Sequence, residues 1–191
     1  MNFNDIIQEK EKDKKNAADE ALKHLAHRDR TTMEMRHHLE DKGFDREEIE
    51  KTIEYLADMH YIDDVSYVEK YVQYAISKGK GSVKIKLELK EKGIAPELLD
   101  DLKSYSEELA GQSERERAYE QALKVLGSKS ITSYEEDETD EIGNGFERKK
   151  QRYQEIQKLK AKIARRLESL GFSRDVIFSA IEEVFASNPK F

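Results

Sequence analysis

The chain has 191 residues, of which 39% are charged and 37% apolar, with two prolines, nine glycines and neither tryptophan nor cysteine. The missing cysteine excludes disulfides, thiol nucleophiles and thiolate zinc sites, and no window has the apolar length of a signal peptide or a membrane span, so a soluble, cytoplasmic protein is expected. The formal net charge of −7 is concentrated: residues 130–146 carry six acids and no Lys or Arg, and without them 35 acids face 34 bases.

Residues 1–16 form a charged extension. A helix is expected from about 17 to 26, with Leu22 and Leu25 on one face. Thr31 followed by Glu34 reads as a capping box opening a second helix, which carries Met35 and Leu39 and stops at Gly43. Asp45 with Glu48 opens a third, whose Ile49, Ile53 and Leu56 share a face. Residues 17–62 therefore read as one three-helix unit. Asp63 is a good N-cap for the next helix, with Val68, Tyr71, Val72 and Ala75. The stretch Val83–Lys90 then alternates apolar and polar, which by period alone is a strand. Pro96 stands where a further helix begins, completing a unit over 63–110. A third unit over 113–187 starts with a helix from Glu114 to Leu126 and ends with Ser173 capping a helix that carries Val176, Ile177, Ile181 and Val184. Inside it lies a Ser-, Thr- and acid-rich insertion at about 127–146, too poor in apolar residues to order itself.

A motif ties the units together: Leu39-x-x-x-Gly43-Phe44, Leu89-x-x-x-Gly93-Ile94 and Leu167-x-x-x-Gly171-Phe172. Met35, Ile85 and Ile163 stand four residues before the leucines; Ile49, Leu99 and Ile177 stand six after the glycines. Self-similarity of this kind marks a repeat architecture. The alignment also converts Val83–Lys90 from strand to helix, because it falls without gaps on the middle helices of the other two copies. The expected fold is all-α: a tandem array of three three-helix repeats, elongated and curved, with the acidic insertion in the third repeat.

Charge is patterned on this scaffold. Between Arg148 and Arg166 stand nine bases and one acid, Glu155. Tyr153, Ile156, Leu159, Ile163 and Leu167 are expected to be the buried stripe of that helix, while Lys158, Lys162, Arg165 and Arg166 recur on another face. A solvated face is the simple reading; a surface for phosphate or an acidic partner is the functional one. The acidic insertion directly precedes this helix and could screen it. A second run, Lys78, Lys80, Lys84, Lys86, Lys90 and Lys92, lies beside Gly79 and Gly81, without the spacing of a P-loop. A plain interhelical turn is the simpler account of those glycines. His24, His27, His37 and His38 do not converge as metal ligands must. No nucleophile–base pairing stands out, so no catalytic residue, metal or cofactor is expected. The middle helices also differ at one matched position, where Lys84 and Lys162 replace Glu34.

Arg28-Asp-Arg30-Thr31-Thr-Met-Glu34-Met35, Tyr61-Ile62-Asp63-Asp64, and Gly79-Lys-Gly81 running on to Ile85, Glu88, Leu89, Lys92 and Gly93 together resemble the RecX family of RecA regulators. The terminal Arg165-Arg166-Leu167-Glu-Ser-Leu170-Gly171-Phe172-Ser173 is similar to the family's last motif, with Leu170 where the family often has a base. The resemblance covers about residues 17–187. It implies a non-enzymatic regulator, expected as a monomer, that binds RecA nucleoprotein filaments and dampens strand exchange, ATP turnover and the co-protease signal of the DNA-damage response. Candidate contacts to partner or DNA are Arg28, Arg30, Lys78, Lys80, Lys84, Lys86, Lys158, Lys162, Arg165 and Arg166. The rival reading is a helical-repeat protein that binds DNA directly, because glycine-joined helices also occur in helix-turn-helix modules.

Overall fold

A computed structural model describes residues 16–100, 102–127 and 145–187. The bulk of the charged extension and of the acidic insertion lies outside the described residues. Among those described, the elements are α1 (Ala17–Leu25), α2 (Thr32–Asp41), α3 (Arg46–Asp58), α4 (Asp64–Ser77), α5 (Ser82–Glu91), a 3₁₀ turn (Pro96–Leu99), α6 (Leu102–Ala110), α7 (Glu114–Gly127), α8 (Gly145–Leu170) and α9 (Arg174–Ala186), and none is a strand.

They form two compact units. One holds the chain up to Tyr71 together with Leu89–Leu99; the other holds Val72–Glu88 and the chain from Asp100 onward. The division cuts the expected second repeat, since α4 and α5 each begin in one unit and end in the other.

In the first unit α1, α2 and α3 pack around Met35, Leu39, Ile49, Ile53, Leu56 and Ile62. Each buried side chain of this size contributes about 2 kcal/mol relative to exposure. The face of α1 is not the one expected. Ala17 and Ala21 are buried and Leu25 packs partly, whereas Leu22 is 36% exposed. Asp45 and Glu48 make both bonds of a capping box. Thr31 makes half of one: its Oγ1 accepts the Glu34 amide at 3.1 Å, but the Glu34 carboxylate turns away to Arg28 and Lys92.

In the second unit α7, α8 and α9 enclose Ala118, Ala122, Leu159, Ile163, Leu167, Phe172, Val176, Ala180 and Val184. The alternating segment is helix α5, with Ile85 and Leu89 fully buried and Val83 and Leu87 half exposed. Alternation over eight residues places apolar side chains on both sides of a helix; only the i, i+4 pair is used for packing. Pro96 opens a short 3₁₀ turn rather than a continuous third helix. Ser173 has the extended backbone of an N-cap without a side-chain cap bond.

The repeated motif makes the same joint inside each unit. In the first, the end of α5 abuts the start of α2. Thr31 Oγ1 donates to the Lys92 carbonyl at 2.6 Å, and a β-carbon on Gly93 would collide with Met33 Cβ. In the second, the end of α8 abuts the start of α5. The Gly81 and Val83 amides donate to the Leu170 and Gly171 carbonyls at 2.8 and 3.2 Å, and a β-carbon on Gly171 would collide with Lys84. Helix C-termini carry partial negative charge and N-termini partial positive charge, so end-to-start contact is favourable as well as compact. Each glycine serves twice, as a left-handed stop (φ +76° at Gly93, +80° at Gly171) and as the point of closest approach.

Each joint is sealed by the acid that opens the first helix of the next repeat. Asp64 Oδ1 accepts the Thr32 amide at 2.9 Å, and Glu114 Oε1 accepts the Ser82 amide at 2.6 Å. These are N-caps supplied from 32 residues downstream. A cap of this kind stabilises a helix by about 1 kcal/mol.

Candidate partner-binding surfaces

Helix α8 carries the densest basic run, and its sequence makes two different halves. From Leu159 onward it buries Leu159, Ile163, Leu167 and Leu170 against the second unit's core. The opposite side exposes Lys158, Lys162, Arg165 and Arg166. Arg165 also returns its Nε to its own helix, donating to the Ala161 carbonyl at 3.2 Å. From Phe146 to Glu155 every residue is exposed. Tyr153, expected in the buried stripe, is 64% exposed, and Phe146 is 76% exposed. The apolar period persists there, but among the described residues no neighbouring helix covers it. The result is a basic helix segment with two solvent-facing aromatic rings.

The glycine–lysine run is mostly committed to the fold. Lys80 Nζ binds both oxygens of Glu88 at 2.8 and 2.7 Å, and it lies with Lys78 near the Tyr74 ring, 5.9 and 5.5 Å from its centre. Lys84 Nζ donates to the Ser169 carbonyl at 2.9 Å, capping the C-terminus of α8. Lys86 is exposed. The amides of Gly81, Ser82 and Val83, which would have to cradle a phosphate, already donate to Leu170, Glu114 and Gly171. An interhelical joint is the observed use of this sequence.

Arg28 and Arg30 flank the first unit's joint. Arg28 forms a two-pronged pair with Glu34, at 2.8 and 3.2 Å, and Lys92 Nζ binds the same carboxylate at 2.9 Å. Burial pushes the Glu34 carboxyl up, but the bonds from Arg28 and Lys92 outweigh it and hold the group at about 2. This double engagement explains why Glu34 leaves its capping box half made. Arg30 is half-buried with its Nε unpaired among the described residues; burial, helped by the Arg28 charge, lowers its affinity for the proton.

Of the ten candidate contacts, Arg28, Lys80, Lys84 and Arg165 thus hold intramolecular hydrogen-bond partners. Lys158, Lys162, Arg165 and Arg166 share one exposed stretch of α8. The difference between Glu34 and Lys84 at matched positions is the chemistry of the two joints, one closed by a carboxylate and the other by an ammonium.

Two features escaped the sequence reading. One is the pair Asp64 and Glu114, whose 50-residue offset repeats that of Leu39 and Leu89 and could have marked them. The other is a buried cluster around Arg117, where burial lowers the guanidinium's proton affinity against the opposing charges of Glu114 and Glu107. Its Nη1 reaches the Gln112 and Ser106 carbonyls at 3.3 and 3.4 Å. His24 stacks on His38 at 3.6 Å and His38 meets Glu20 at 3.2 Å; among the described residues no group of three His, Cys, Asp or Glu is placed to hold an ion. No described helix is long and apolar enough to cross a membrane.

Residues 17–56 match the family profile of the RecX first three-helix domain, and residues 63–102 that of the RecX second three-helix domain. The chain is 30% identical over 171 residues to the regulatory protein RecX of Legionella pneumophila, covering 90% of this chain and 96% of that one. It is 29% identical over 172 residues to the regulatory protein RecX of Clostridium acetobutylicum, covering 90% and 70% of the two chains. The crystal structure of RecX from Lactobacillus salivarius superposes with a TM-score of 0.66 and 26% identity, over 89% of this chain and 95% of that one.

Proposed function

The chain belongs to the RecX family of regulatory proteins, and from that premise we propose that it binds RecA nucleoprotein filaments and inhibits their recombinase, ATPase and co-protease activities. It acts as a cytoplasmic monomer and without a cofactor. The observation that carries the reading is the exposed row Lys158, Lys162, Arg165 and Arg166, on a helix whose other side is anchored in a core. Such a rigid cationic strip is suited to the phosphates or acidic side chains that a nucleoprotein filament presents. Lys78 and Lys86 are also exposed in the second unit, whereas Lys80 and Lys84 are engaged within it and Arg28 is held by Glu34 in the first.

The test is DNA-dependent ATP hydrolysis by the cognate recombinase on single-stranded DNA. Inhibition is expected at protein levels well below the recombinase concentration, because one bound molecule interrupts a cooperative filament. Unchanged hydrolysis at equimolar protein would sink the reading.

A second reading, direct binding to DNA, is favoured by Phe146 and Tyr153 standing exposed among the bases of α8, since exposed rings with cations are a platform for single strands. Tight binding to bare single-stranded DNA, lost steeply as salt rises, would select it.

A further inference from the structure

The same joint is built twice within this molecule, and the first repeat carries a third copy of its glycine end with nothing seated on it among the described residues. Asp41, Lys42 and Gly43 occupy the positions of Glu91, Lys92 and Gly93, and of Ser169, Leu170 and Gly171. Gly43 has the same left-handed backbone, φ +83°. Yet a β-carbon there would meet nothing within 4 Å among the described residues, where the other two would collide with Met33 and Lys84. Asp41, Lys42 and Gly43 are all exposed.

We propose that this end of α2 is a docking surface for the N-terminal turn of a helix on a partner protein. The two filled joints define what fits. Carbonyls at the ends of α5 and α8 accept a threonine hydroxyl, two first-turn amides and a lysine ammonium. The occupant therefore presents forward-pointing amides, a hydroxyl or ammonium beside them, and a β-carbon that seats over the glycine. Charge is complementary: the free carbonyls of a helix C-terminus face the partial positive charge of a helix N-terminus.

A second copy of this chain does not supply that turn from its middle helices. The starts of α2 and α5 are already occupied by Lys92–Gly93 and Ser169–Gly171. In the third repeat the matching position, Lys160, lies inside α8, which runs on to Gly145 and so has no start there. The occupant proposed is a helix of another protein. Its identity as the recombinase rests on the filament reading above; the surface itself does not.

The chain has no cysteine, so Asp41→Cys introduces a unique thiol for a photo-cross-linker, and Glu54→Cys, exposed on α3, serves as the control. On recombinase filaments assembled on single-stranded DNA, Asp41→Cys is expected to cross-link several-fold more than Glu54→Cys, with the adduct in the first turn of a recombinase helix. Gly43→Asn keeps a residue that tolerates the left-handed backbone but places a side chain in the joint. It should weaken filament binding by about tenfold, or about 1.4 kcal/mol, without lowering the melting temperature by more than a few degrees. Equal cross-linking at both thiols overturns the proposal, as do adducts only within the chain's own first 15 residues or between two copies, or unweakened binding by Gly43→Asn. Failure of the unsubstituted chain to bind filaments overturns both this proposal and the filament reading.

Discussion

Glu34 shows how one residue can be misread locally and still be structurally decisive. By sequence it is the last member of a capping box. In the fold it is the common acceptor for Arg28 and Lys92, 80% shielded from solvent, and its carboxyl is held at about 2. Its folded pKa lies below the unfolded value, so the associated stability is fully present above about 4.5 and is lost as pH falls toward about 2. The shift sets an upper bound of about 3 kcal/mol. Glu34→Gln is therefore expected to flatten the acid limb of the stability curve between those two values, measured by urea unfolding at a series of pH values. An acid limb as steep as the parent's would show that other carboxylates carry it. The same pairing explains why Arg28, a candidate contact by motif, is foremost a structural residue: its guanidinium fork is engaged on both prongs.

At the scale of the element, the joints and helix α5 decide most. Ile85 and Leu87 are two residues apart in an alternating stretch, but only Ile85 faces the interior. Ile85→Ala is expected to cost about 2–5 kcal/mol and Leu87→Ala within about 0.5 kcal/mol of nothing, as read from urea midpoints. Equal costs would return the segment to a two-sided, strand-like role. The glycines give a second contrast. Among the described residues Gly43→Ala meets only the left-handed strain, about 1 kcal/mol. Gly93→Ala meets that strain and a collision with Met33, so its loss should exceed that of Gly43→Ala by at least about 1 kcal/mol. Both glycines were legible in the sequence as helix stops. The second duty of Gly93 was not, because a helix start 60 residues away supplies the atom that a side chain would strike.

For the whole molecule, what is left for a partner is what the scaffold leaves in solvent. Lys158, Lys162 and Arg166 contribute no core contacts, so reversing all three to Glu is expected to leave helicity and melting temperature nearly unchanged while weakening inhibition of the recombinase. The salt dependence of binding should become shallower, since each lost phosphate contact removes about 0.7–0.9 of a unit from the logarithmic slope. Full inhibition by this variant would place the contact surface elsewhere. Circular dichroism and the hydrolysis assay at several salt concentrations read both outcomes.

The sequence by itself determined the helical class, the repeated leucine–glycine motif and the basic run of α8, because caps, stops and charge density depend on neighbours a few residues apart. Only the tertiary structure decided which bases are spent inside the molecule and which face solvent. Lys84 and Lys158 are equally cationic by composition; one caps a helix end 85 residues away and the other meets water. Tyr153 continues the apolar period of Leu159 and Ile163, yet lies where no described helix packs. Periodicity states which side of a helix is apolar, but burial requires a second surface, and only the fold supplies one.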